Sequence, residues 1–320
     1  MSSEVITSTQ MPVWAWLAFG VIILVLLFLD MKVFHRKSSV ITIKQSLLWT
    51  GFWIALALLF NLGIWIWKGS TPATEYLTCY LIEKSLSVDN LFVFLMVFSF
   101  FAVPIAYQHK VLFWGIIGAI VLRLAFIEVG ATLLYNFDWV FYIFGAFLII
   151  AALRMAFQKE KELHPEKNPV LRVFRKLFGT TENYEGDRFF VKRLGKYVAT
   201  PLLITVIVIE TTDLVFALDS IPAAFSITLD KFIVYTSNIF AILGLRSLYF
   251  ALAGIMPLFH YLKYGLVVVL MFVGIKMLLA QHYEIPTGIA LGVVAVVLII
   301  AVIASVMRNR RNKPADGTAE

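Results

Sequence analysis

The chain has 320 residues, of which 61% are hydrophobic and only 15% charged, with a mean hydropathy of +0.88; a soluble domain is about half apolar and roughly a quarter charged. A soluble fold is therefore excluded. The net charge of +7 does not point to nucleic acid, because the Lys and Arg gather in short segments between apolar runs, the distribution that orients helices in a bilayer.

Apolar runs long enough to cross about 30 Å of hydrocarbon predict an all-α polytopic membrane bundle of nine helices near 12–34, 45–67, 76–102, 111–135, 138–157, 198–218, 232–254, 264–280 and 286–307. The first run, Pro12 to Phe34, exceeds a signal-peptide core of about 7 to 15 residues and is followed by no small-residue cleavage site. It is expected to stay as a span. His35, Arg36, Lys37 and Lys44 then put its far end in the cytoplasm and the N-terminus in the periplasm. Trp14, Trp16, Trp49, Trp53, Trp65 and Trp67, near the ends of the first two helices, read as interfacial anchors.

The third helix carries Glu83, Lys84 and Asp89 and the fourth Arg123 and Glu128; Glu128 reads as a paired helix residue. Cys79 is the single cysteine, so an intramolecular disulfide is excluded. Segment 158–197 mixes ten bases with six acids and holds Pro165, Pro169 and Gly179, which predicts a cytoplasmic loop with some helix near Val170 to Phe178. The sixth helix contains Glu210, Asp213 and Asp219, and the seventh Arg246. His109, His164 and His260 fall in predicted cytoplasmic loops without metal-ligand spacing and read as solvated side chains. Residues 308–320 form a basic cytoplasmic tail, expected to be disordered. The inner segments hold the basic residues, while the opposite loops hold only Lys68 and Lys231.

A long-range repeat emerges when Glu83-x5-Asp89-Asn90 is laid on Asp213-x5-Asp219-Ser220. Leu122-Arg123 then corresponds to Leu245-Arg246, and Arg154-Met155 to Lys276-Met277. Each unit, 76–157 and 198–280, contains three helices, an odd number, so the second enters the membrane in the opposite sense. Inverted repeats of this kind build secondary transporters whose sites lie where the halves meet. All of 1–320 then reads as one membrane domain.

Ionisable groups inside a span cost about 2.5 to 3.5 kcal/mol each on insertion scales and mark function by default. The acids at 83, 89, 210, 213 and 219 outnumber the nearby Lys84, Arg123 and Arg246. A hard divalent cation would supply the missing charge, and the oxygen-rich set favours Mg²⁺, Ca²⁺ or Mn²⁺ over Zn²⁺ or Cu⁺. The candidate ligands are Glu83, Asp89, Asn90, Glu210, Asp213 and Asp219, supported by Lys84, Thr212, Ser220, Arg123 and Arg246.

At about 100° per residue, positions six apart point some 120° from one another, so an unbroken helix cannot aim Asp213 and Asp219, or Glu83 and Asp89, at one point. Pro222 offers a break in the sixth helix, with Asp219 or Ser220 capping the next turn. Two structural alternatives stay open: Asp219 as a helix cap, and Glu83–Lys84 as an internal neutral pair with Arg123 and Arg246 as further partners. The Gly115-x-x-Gly118-Ala119 and Ala241-x-x-Gly244 patterns read as close helix packing. No phosphate-binding loop motif is present.

The strings EKSLSVDNLFVF at 83–94, ETTDLVFALDSIPAAF at 210–225 and SNIFAILGLRSLYF at 237–250 resemble the TerC family of bacterial membrane proteins, most like its Alx branch, over roughly residues 10 to 307. The resemblance implies an inner-membrane protein of the LysE-type exporter group. Its family names come from tellurium resistance and from membrane-bound redox modulation, and members similar to Alx are linked to manganese export. It implies the acidic positions Glu83, Asp89, Glu210, Asp213 and Asp219, with Thr212 where a serine is expected.

The expectation is an exporter of a divalent metal ion, Mn²⁺ foremost, without catalytic residues or a resident cofactor, with the bilayer and H⁺ as a coupling ion for partners and no nucleic acid. The alternative is a redox modulator or a tellurite or alkaline-stress resistance partner without transport of its own.

Overall fold

In the computed structural model, the described residues are 11–34, 43–137, 139–157, 180–181, 183–193, 196–253, 261–279, 283 and 285–311. They form ten helices and one hairpin. The helices are α1 (Val13–Phe34), α2 (Ile43–Lys68), α3 (Ser70–Phe100), α4 (Ile105–Asn136), α5 (Val140–Phe157), α6 (Pro201–Phe225), α7 (Lys231–Leu243), α8 (Leu245–Ala253), α9 (Leu262–Leu279) and α10 (Thr287–Arg311). Each of the nine predicted helices has its counterpart, the seventh being divided at Gly244 into α7 and α8.

Among the described residues, five helical segments are long and apolar enough to cross a membrane: Ile43–Lys68, Ile105–Asn136, Pro201–Phe225, Lys231–Ala251 and Gly288–Arg308. The bundle is inside out in polarity. Leu24 is 67% and Ile66 78% exposed on the outer helices, whereas Arg123 and Arg246 are 1% and 2% exposed. An outer surface of that kind is covered by lipid, and helices are the segments that satisfy their own backbone there.

The core positions the site. α7 is enclosed, with Phe232 to Leu243 all buried, and packs on α3 and α4; α4 packs on α6, α3 on α6, and α5 on α9. At the α5–α9 crossing an added Cβ on Gly145 would come within 3.0 Å of the Gly274 carbonyl oxygen, and one on Gly274 within 2.9 Å of that of Gly145. The absent side chains set this separation.

Several expectations are corrected. α6 runs through Pro222 without a break: only its last turn follows, so the proline removes one hydrogen bond near the end, and the amide of Ser226 donates to the Pro222 carbonyl at 3.0 Å. The cap before the next helix is Asp230, accepting from the Phe232 and Ile233 amides at 2.9 and 3.4 Å. Neither Asp219 nor Ser220 caps a helix.

Trp53 is 2% exposed and belongs to the core, while Trp14, Trp65 and Trp67 stay exposed; an indole at mid-helix faces whichever neighbour its phase dictates. His109 lies within α4, half-buried, its ring 4.1 Å from that of Phe250. α10 continues as helix to Arg311. Residues 170–178, His164 and His260 lie outside the described residues.

The loop 158–197 contains a hairpin that its charge mixture concealed. β1 (Phe190–Arg193) pairs antiparallel with β2 (Lys196–Ala199), Phe190 opposite Ala199. The Thr200 hydroxyl donates to the Arg188 carbonyl at 2.6 Å, Tyr184 donates to the Phe101 carbonyl at 2.7 Å, and Lys110 bridges Asp187 at 3.0 Å. The hairpin is thereby fastened to the ends of α3, α4 and α6.

Candidate functional site

Positions seven apart on a helix return to within about 20° of one another. Glu83 and Asn90 therefore share a face of α3, and Asp213 and Ser220 a face of α6. These four side chains are 2%, 2%, 3% and 2% exposed, and between them lies Arg123 of α4.

The guanidinium holds the cluster. Its Nη1 donates to the Glu83 carboxylate, to Asn238 Oδ1 at 3.0 Å and to Ser220 Oγ at 3.3 Å. Nε and Nη2 donate to the two Asp213 oxygens at 3.4 and 3.3 Å, a two-pronged contact. Asn238, from α7, donates its amide to Glu83 Oε2 at 3.0 Å, and Asn90 donates to Asp213 Oδ1 at 3.5 Å. Four helices thus contribute to one polar centre in an apolar bundle, where two carboxylates against one guanidinium leave an excess of negative charge.

Glu210, three residues before Asp213, leans onto α4. Its carboxylate lies where a Cβ on Gly118 would stand and within 4.0 Å of one on Gly115. Both carboxylate oxygens are buried without a hydrogen-bond partner. A carboxylate in that position is stable only protonated or beside a cation.

The expected set is therefore only partly gathered. Glu83, Asn90, Asp213, Ser220 and Arg123 converge, and Glu210 lies one turn away. Asp219 is half-buried on another side of α6, as the 120° phase requires, and Arg154 is the cation whose charge reaches it. The Asp89 side chain lies outside the described residues; its backbone is in α3, six positions from Glu83.

Lys84 turns away from Glu83 and donates to the Ala241 carbonyl at 3.1 Å, so the Glu83–Lys84 neutral pair is replaced by Glu83–Arg123. Thr212 donates back to the Val208 carbonyl at 2.7 Å, and Arg246 is buried on α8. Glu128 pairs with Lys231 at 2.6 Å, as expected of a paired helix residue.

Asn238 was missed by reading acids alone. An asparagine inside an otherwise apolar span is the signal that could have found it.

Among the described residues no three His, Cys, Asp or Glu side chains stand close enough to hold a metal ion. A cation at this centre would take Glu83 and Asp213 together with amide and hydroxyl oxygens from Asn90, Asn238 and Ser220. That is a hard donor set.

A family pattern described as integral membrane protein TerC family matches residues 68–313. This chain belongs to the TerC family. The membership expected from the two acidic strings thus holds, and the TerC protein is an integral membrane protein.

It is 46% identical over 305 residues to "Uncharacterized membrane protein STKORF319" of Myxococcus xanthus, covering 95% of each chain. It is 44% identical over 306 residues to "Putative membrane-bound redox modulator Alx" of Escherichia coli K12, covering 93% of this chain and 95% of that one. An uncharacterized membrane protein of Rickettsia bellii is 45% identical over 294 residues, covering 92% of this chain and 97% of its own. No solved structure matches the TerC protein.

Proposed function

We propose that this TerC protein exports a divalent metal ion, with Mn²⁺ the leading candidate, across a bacterial inner membrane by alternating access around the Glu83–Asp213 centre. The observation that carries the reading is that centre itself: hard oxygen donors from α3, α6 and α7, fully buried, with more acid than base. Buried charge of this kind is retained for transport or binding far more often than for stability.

The packing supports two inverted halves, α3–α5 and α6–α9. α3 rests on α7 as α6 rests on α4, the arrangement obtained by exchanging the halves, while α3–α6 and α5–α9 are contacts between equivalents. Glu83/Asn90 and Asp213/Ser220 are repeat equivalents that face one centre. Rocking of one half against the other would expose that centre to each side in turn. In this reading nine helices cross the membrane, the N-terminus is periplasmic and the C-terminus cytoplasmic, and carboxylates that take either metal or protons couple export to proton entry.

The redox function in the name of the Escherichia coli relative would need another partner here, because the sole thiol, Cys79, is 1% exposed and packed against the Ala224 carbonyl at 3.7 Å.

Asp213→Asn or Glu83→Gln, inserted normally, is expected to abolish Mn²⁺ efflux from loaded vesicles. Unchanged efflux in both variants overturns the proposal.

A further inference from the structure

We propose that the Arg123 guanidinium is a tethered stand-in for the transported cation, joining Glu83 to Asp213 while the centre holds no metal and moving onto Glu210 when a metal arrives. This rests on the cation-export reading and adds a role for a residue that is neither ligand nor cargo.

The first argument is occupancy. Arg123 already uses an oxygen of each of Glu83, Asp213, Ser220 and Asn238, the same hard donors a divalent ion requires. Guanidinium and metal therefore compete for one place.

The second is a destination. Glu210 stands one turn before Asp213 on α6, and its two buried oxygens have no partner. It lies over Gly118, five residues before Arg123 on α4, a rise of about 7.5 Å. Five residues turn α4 by about 140°, so the guanidinium would reach Glu210 along α6, from Asp213 to the carboxylate three positions before it on the same face. The missing side chain at Gly118 is what makes room for the Glu210 carboxylate against α4.

The third is charge. A divalent ion neutralises Glu83 and Asp213 and leaves the guanidinium without a counter-charge. A displaced guanidinium inside an apolar bundle needs a carboxylate, and among the described residues Glu210 is the one whose two buried carboxylate oxygens have no partner.

Mn²⁺ binding to the purified full-length protein in detergent, followed by calorimetry together with thermal unfolding, tests the exchange. Arg123→Gln is expected to bind Mn²⁺ at least about tenfold more tightly than the parent, about 1.4 kcal/mol. Mn²⁺ is also expected to raise its unfolding temperature by more than it raises the parent's, since ligand linkage follows affinity.

Glu210→Gln is expected to weaken binding in the parent but to change nothing further in the Arg123→Gln background, as a residue acting only through Arg123 requires. Should Arg123→Gln not fold, Arg123→Lys serves. A lysine cannot fork to both acids, so it too is expected to tighten binding, by a smaller factor.

Folded Arg123 variants that bind Mn²⁺ no more tightly than a parent that does bind it overturn the stand-in alone. A parent that neither binds nor moves a divalent cation overturns the export reading as well.

Discussion

At the residue scale, phase along the helix separates the acids that meet from those that do not. Glu83 and Asp213 face Arg123, and their companions on the same faces are Asn90 and Ser220, seven positions on; Asp219, six positions from Asp213, is on another side of α6. The difference of one residue, about 100°, exchanges an acid for an amide or hydroxyl. Among the described side chains, the centre thus holds two carboxylates together with neutral oxygens.

Gly118 shows the same economy of space. Because a Cβ there would coincide with the Glu210 carboxylate, Gly118→Ala is expected to cost about 1–3 kcal/mol, read as a lower unfolding midpoint. Removing the obstacle in Gly118→Ala/Glu210→Ala is expected to recover most of the loss. Equal losses in the single and double variants would place the clash elsewhere.

At the scale of elements, the hairpin segment links the ends of three helices through few contacts, of which Lys110–Asp187 is ionic. The hydrogen bond and positive charge of Lys110 hold the Asp187 carboxyl below its ordinary range. A depressed carboxyl stabilises the fold above its unfolded value, near pH 4, and that contribution is lost as the pH falls through its folded value. Because Asp187 is exposed, the effect is small.

The protection of the β1 and β2 amides, relative to intrinsic exchange at each pH, is expected to fall below about pH 4, and Lys110→Met to show the lowered protection already at neutral pH. Identical protection in Lys110→Met and the parent across this range would remove the bridge from the account. The break at Gly244 belongs to this scale too. It ends α7 and begins α8 within one apolar run, an outcome that the run itself does not announce.

At the scale of the whole molecule, the topology makes a prediction independent of any flux. In a Cys79→Ser background, which leaves a hydroxyl for the Ala224 carbonyl, a cysteine replacing Lys192 is expected to react with an impermeant maleimide only from the cytoplasmic side. One replacing Lys231 is expected to react only from the periplasmic side. Labelling of both from one side would contradict the inverted halves, and the reverse pattern would invert the orientation.

The amino-acid sequence by itself determined the membrane class, the nine apolar segments and the family, because hydropathy, basic loops and the two acidic strings are properties of composition and order. It also contained the phase argument that keeps Asp219 away from Asp213. The tertiary structure alone decided which helices pack together. That choice brings Arg123 between two acids 130 positions apart, carries Asn238 in from α7, leaves Glu210 over a glycine and lets α6 pass through Pro222. A buried charge names a site in the sequence, but its partner is chosen by whichever helix can desolvate it with a donor in reach, and that is a property of packing.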